Sequence, residues 1–269
     1  VSAAPSDVHG RISRLFIYPV KSCGGVELQE AVLTETGLEF DRAWMVVDEQ
    51  GEFVSQRELP RMALIVPKMR FHDMVLRAPG MLALHIALDA VEQPCKVRVW
   101  DDEVSAYDMG DTAAQWFSDF LGQKLRLARF DPDVRRLSSL QWTRGVEALN
   151  QFSDGYPLLV ASEASLDGLN ARLANAGHAP VGIERFRPNV VLAGVGNRLR
   201  LAQARPRARV AARVGDDALD RLALREQTRF AASDMRGVAQ RRAAAQRRHE
   251  EDRKDGARNP HAATTRTVR

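Results

Sequence analysis

Apolar residues come in short runs through the first hundred positions, with turn residues between them. Arg14–Tyr18, Ala43–Val47, Arg61–Val66, Asp73–Arg77, Met81–Ile86, Lys96–Trp100 and Val104–Tyr107 are each long enough for a strand and too short for a helix. Asp48-Glu49-Gln50-Gly51 and Asp101-Asp102 sit between such runs and predict hairpins. Short strands at regular spacing predict a barrel or a curled sheet.

The period changes near position 111. Asp111-Thr112 predicts the cap of a helix whose face is Ala114, Phe117 and Leu121, with Trp116 and Phe120 beside it. Leu125–Phe130 reads as a strand, and residues 131–150, polar and Arg-rich, as a loop. Tyr156–Ala161 predicts a buried strand. Ser162 opens a second helix with Leu166, Leu169 and Leu173 on one face, and Gly177 closes it. Phe186-Arg187-Pro188-Asn189 leads into a strand at Val190-Val191-Leu192. The predicted class is α+β: two β-rich, barrel-like units, residues 10–110 and 111–196, with a few helices.

After Gly196 the pattern is lost. Residues 197–269 hold 19 Lys+Arg, 18 of them Arg, against 9 Asp+Glu, so the chain's net charge of +4 is carried by this stretch alone. It offers too little apolar surface to offset the entropy of ordering, and it is expected to be disordered or marginally helical. Its Arg/Ala-rich, Lys-poor composition fits a shifted reading frame in a GC-rich gene; a basic tail acquired by fusion is the alternative. Nucleic-acid binding ranks last, because no aromatics interleave the basic runs and acidic residues interrupt them. The two cysteines form no disulfide framework, and the six histidines show no zinc-ligand spacing. No apolar run reaches membrane-spanning length, and residues 1–10 do not read as a signal peptide. A cytoplasmic setting with no membrane partner is expected.

The chemistry gathers at Tyr18-Pro19-Val20-Lys21-Ser22-Cys23-Gly24-Gly25, where a proline ends a strand and glycines let the backbone approach a ligand. Lys and backbone N–H groups suit a phosphate. The other polar clusters are Asp41-Arg42-Ala43-Trp44, Phe152-Ser153-Asp154, Ser162-Glu163-Ala164-Ser165-Leu166 and Phe186-Arg187-Pro188-Asn189. Each has an ordinary reading. Lys21 suits a solvated turn and Arg42 an ion pair with Asp41 or Glu39. Ser153-Asp154 suits a turn, Arg187 the approach to a strand, and Asn189 loose backbone.

In this order and spacing, the five elements resemble the MOSC proteins with an N-terminal MOSC β-barrel domain, the group of the mitochondrial amidoxime-reducing component and bacterial MOSC-family reductases. The resemblance implies a molybdenum cofactor, a molybdopterin with a phosphate. It also implies reduction of small N-hydroxylated compounds with electrons from a protein partner. By the same resemblance Lys21, Ser22 and Arg42 hold the phosphate side. Ser153 and Asp154 line the cofactor, and Arg187 and Asn189 complete a pocket between the two units. The sequence departs from the family at the metal. The family's ligating cysteine lies beyond the FRPN strand, and this chain has no cysteine after Cys95. Cys23, in the phosphate-side turn, is a weak candidate ligand; Cys95 reads as a small buried hydrophobe. No metal ligand is assigned. An enzyme is therefore weighed against a cofactor-binding or carrier protein without turnover.

Overall fold

The first strand, Arg11–Ile17, pairs antiparallel with Val190–Ala193, so the two ends of the described chain share a sheet. The computed structural model describes residues 10–195, all within one compact unit. The reading of residues 197–269 as disordered, marginally helical or frameshifted falls outside the described residues.

The fold is α+β and rich in sheet. One four-stranded sheet runs Val160–Ser162, Val190–Ala193, Arg11–Ile17, Val26–Leu28. Its first pair is parallel, joined through helix Glu163–Asn175, as parallel neighbours require. A second sheet runs Trp44–Val47, Arg126–Phe130, Asp102–Asp108, Gln93–Val99. Strands from both sides of residue 110 thus share these sheets. A three-stranded sheet holds Val66–Met69, Asp73–Arg77 and Leu84–Ala87, and two pairs of two-residue strands complete the set. The expected barrels are not closed: among the described residues the sheets are separate. The strands are two to seven residues long, and each sheet ends on strands that carry the ladder no further.

Helix Gly110–Leu121 buries Ala113, Trp116, Phe117, Phe120 and Leu121 against Trp44, Met62, Leu76 and Leu127, and Ala114 is buried beside them. Gly122 ends it in the left-handed conformation, φ 82°. Asp111 is not its cap. Met109 stands at the N-cap without a side-chain cap bond; Asp108, one residue earlier, accepts from the Gly110 N–H at 2.7 Å, while Asp111 pairs with Arg126 at 2.9 Å. Ser162 caps the later helix as expected, its Oγ accepting from Ser165 N–H at 3.2 Å, and Gly177 follows it at φ 76°. The apolar run Arg61–Val66 forms a 3-10 helix, Pro60–Leu64, instead of a strand. Pro60 suits a first helical position, where no N–H is needed, and the turn buries Met62. Tyr156–Ala161 is also different: only Val160–Ser162 is strand, and Tyr156, Leu159 and Val160 are exposed at the sheet's edge. Residues 131–150 carry a one-turn helix, Leu140–Thr143, and a short strand pair.

Candidate functional site

The turn after Arg11–Ile17 is tied down by backbone bonds. Lys21 N–H donates to Trp44 O at 2.8 Å, and Cys23 N–H to Val20 O at 3.1 Å. Ser22 takes a left-handed φ of 67° inside this turn. The tie aims Lys21 inward, and its side chain is buried. Its Nζ donates to Phe152 O at 2.8 Å and to Asp154 Oδ1, and it lies 5.2 Å from the centre of the Phe53 ring. Desolvation lowers the ammonium's pKa, against the pull of Asp154 and with help from Arg136 and Arg42.

Asp154 sits at the outer end of this pair, its side chain 66% exposed. Partial desolvation pushes its carboxyl up. The Lys21 ammonium and the hydrogen bonds from Lys21 and Trp100 outweigh that and hold it below the usual carboxylate range. The Trp100 Nε1–H donates to the same Oδ1 at 3.0 Å. Arg136 shapes this loop from behind. Its Nη1 donates to Asn150 Oδ1 and Gln151 O at 2.6 Å and to Ser153 O at 2.8 Å, while Nε holds Asp102 at 2.8 Å.

The second half of the site is built on Tyr18. Arg42 and Arg187 both lie against its ring, their guanidinium carbons 4.5 and 4.1 Å from its centre. Both arginines are left-handed, with φ 49° and 55°. Arg42 Nη1 donates to Asp41 Oδ2 at 2.5 Å and to Asn189 Oδ1 at 3.1 Å, and Nη2 to Arg187 O at 3.1 Å. Asp41, fully enclosed, also accepts from Tyr18 N–H at 2.7 Å. Burial raises its pKa against the opposing pull of Arg42. Asn189 is a structural tie: its Oδ1 also accepts from Leu159 N–H at 3.0 Å, and its Nδ2 donates to Phe16 O at 3.2 Å. Arg187 Nη1 donates to Cys23 O.

Lys21, Arg42, Asp154, Arg187 and Asn189 therefore fall into one cluster. Arg42 links its halves: its carbonyl accepts from Phe152 N–H at 3.1 Å, beside Ser153. Ser153 contributes its carbonyl to Arg136. Sequence reasoning missed Tyr18, Arg136 and Trp100. Tyr18 lay inside the motif that was read, and Trp100 beside the Asp101-Asp102 turn; Arg136, in a polar stretch, gave no signal.

Two buried atoms here lack hydrogen-bond partners among the described residues, Arg187 Nη2 and Tyr18 Oη. Desolvation, then the nearby Arg42, lowers the Arg187 pKa to about 10, so it stays charged at neutral pH but poorly compensated. A buried donor without an acceptor costs about 1–3 kcal/mol. An anionic or acceptor-rich group placed here would meet it. The donor set therefore fits a phosphate- and pterin-bearing cofactor. The thiols fit a metal ligand poorly. Cys23 is packed within the main apolar cluster, and burial pushes its thiol up to about 12; desolvation also raises Cys95.

These features define one cluster, in which cations from separated segments converge around an unsatisfied donor. Comparison with known proteins places it. Residues 9–124 match the MOSC N-terminal beta barrel domain and residues 148–264 the MOSC domain, so the chain belongs to the MOSC family. It is 39% identical over 196 residues to the mitochondrial amidoxime-reducing component 1 of Mus musculus, an alignment covering 70% of this chain and 56% of that protein. Mitochondrial amidoxime reducing component 2 of Bos taurus is 36% identical over 194 residues, covering 69% and 56%. Molybdenum cofactor sulfurase of Bos taurus is 36% identical over 130 residues, 46% of this chain and 15% of that protein. The chain thus spans a little over half the length of the amidoxime-reducing relatives it matches.

Proposed function

We propose that the chain binds a molybdenum cofactor and reduces small N-hydroxylated compounds with electrons from a protein partner. The observation that carries this is the Tyr18–Arg42–Arg187 cluster with its unpartnered Arg187 Nη2. Arg187 and Arg42 would hold the anionic part, as charge-assisted donors. Ser22 would offer its turn backbone, and Ser153 and Asp154 would line the other wall. Lys21, already held by Asp154 and Phe152 O, would exchange one of these acceptors for the phosphate. When bound, the cofactor supplies two-electron redox chemistry. Removing oxygen from an N–OH group consumes two electrons and two protons and releases water. A reducing compartment such as the cytoplasm accords with two free cysteines, although the relatives named above are mitochondrial by name. Among the described residues no helix is long and apolar enough to cross a membrane.

A second reading, cofactor binding or carriage without turnover, is favoured by one specific observation: Cys23 is packed inside the main apolar cluster and Cys95 is half-buried on a strand, and burial raises both thiols. One experiment separates the readings. The full chain and its Arg187→Met variant are purified from a host that makes the cofactor, and bound molybdenum, released pterin and benzamidoxime reduction are measured. The enzyme reading expects pterin, metal and turnover in the full chain, all lost in the variant. Pterin without turnover supports the carrier reading. Equal pterin in chain and variant refutes both.

A further inference from the structure

Trp100 is an odd residue for its position. Val99 pairs with Asp102, so Trp100 and Asp101 form a two-residue hairpin turn. Trp100 opens it at φ 55°, where such turns ordinarily place glycine. A bulky residue in the left-handed region is strained, and a retained strain of this kind points towards function. The ring is also held in place without being covered. Its N–H is fixed on Asp154, and its edge meets Phe53 at 4.8 Å between ring centres, at 64°. Yet 46% of the residue stays exposed. The result is a rigid aromatic surface on the rim of the cation cluster, beside an exposed carboxylate. Asp154 uses Oδ1 for both Lys21 and Trp100, and Oδ2 makes no bond to the described residues.

We infer that Trp100 and Asp154 form a substrate-facing subsite for planar amidine-type groups, which stack on the indole while their N–H donors meet the free carboxylate oxygen. This rests on the proposed function for the substrate class and adds the residues that select it. The chemistry favours the reduced product. An amidoxime is neutral near pH 7, whereas the amidine it yields is protonated. A cation over an indole beside a carboxylate gains from both. The subsite therefore holds product more tightly than substrate, and turnover slows as amidine accumulates.

The test needs no metal and no turnover. Benzamidine, benzamidoxime and neutral benzamide are titrated into the full chain and followed by calorimetry. Benzamidine should bind more tightly than benzamidoxime, and benzamide not measurably. Trp100→Gly removes the indole but suits the turn's backbone, so it is expected to fold at least as well as the parent. It should weaken benzamidine roughly ten-fold. Trp100→Phe should restore most of the binding, and Asp154→Asn should abolish the preference for the cation. Benzamidine binding that Trp100→Gly leaves unchanged, or no benzamidine binding by the parent chain, overturns the inference. Molybdenum content measured on the same preparations separates the two claims. Metal retained with binding indifferent to Trp100 sinks the subsite alone. Trp100-dependent binding in a chain that takes up no cofactor sinks the proposed function alone.

Discussion

The two long helices were predicted from the same kind of periodicity, yet they end up in different physical settings. Helix Gly110–Leu121 buries six side chains, five of them in the main apolar cluster. Helix Glu163–Asn175 buries none; Leu166, Leu169 and Leu173 are half covered, and the neighbouring Leu159 and Val160 are exposed. A helix on a sheet edge can carry an apolar stripe and still leave it partly open. The first helix holds the core together, while the second positions the end of the site, since the chain returns from it through Arg187 and Asn189.

The largest expected break of this comparison is in the core. Phe117 has no exposed surface. Phe117→Ala should cost about 3–5 kcal/mol, the range for a buried phenylalanine deletion. Leu169→Ala, half buried, should cost about 1 kcal/mol, because only part of its surface leaves water on folding. Urea unfolding of both variants decides it; equal losses would erase the distinction between the helices.

A smaller effect belongs to the cap. Ser162→Ala removes the acceptor for Ser165 N–H and should cost about 1 kcal/mol. In a helix so lightly anchored, the loss should show first as faster amide exchange over residues 163–167, ahead of any change in Phe117. Uniform acceleration across both helices would mean that they unfold as one unit.

How far the sequence was legible follows the same division. Asp73–Arg77, the buried face of helix Gly110–Leu121 and the Ser162 and Gly177 boundaries were readable because local pattern and local chemistry decide them. The pairing of Arg11–Ile17 with Val190–Ala193 was not: its partners are too far apart in sequence for any local signal. The Pro60–Leu64 turn was misread because a short apolar run fits strand and helix equally well. In the site, the motifs named the segments that meet, but not how they bond. Arg136 braces its loop through carbonyls that leave no trace in composition, and the Asn189 amide is engaged by backbone and Arg42.

The thiols give a further contrast. Cys23 belongs to the cluster packed around helix Gly110–Leu121, whereas Cys95 is only half buried on a strand. In the native chain iodoacetamide should label Cys95 first, and Cys23 only on unfolding. Native labelling of Cys23 at a rate similar to Cys95 would show that the site turn opens, and would return Cys23 to consideration as a ligand.

The smallest effect concerns pH. Asp154 has a folded pKa below its usual value, so its contribution is fully present above the unfolded pKa of about 4 and is lost as pH falls through the folded value. Asp108, held low by Arg126 against partial desolvation, has the same sign and acts in the same window. Asp154→Asn should therefore lower the unfolding midpoint at neutral pH, where Lys21 loses its ionic partner in a buried place. The gap between parent and variant should close below about pH 4, as the parent's carboxyl takes up its proton. Because Asp154 is mostly exposed, added salt should shrink the gap at neutral pH as well. A gap that persists unchanged at acid pH would show that the variant lost shape at the loop and not the charge of the Lys21–Asp154 pair.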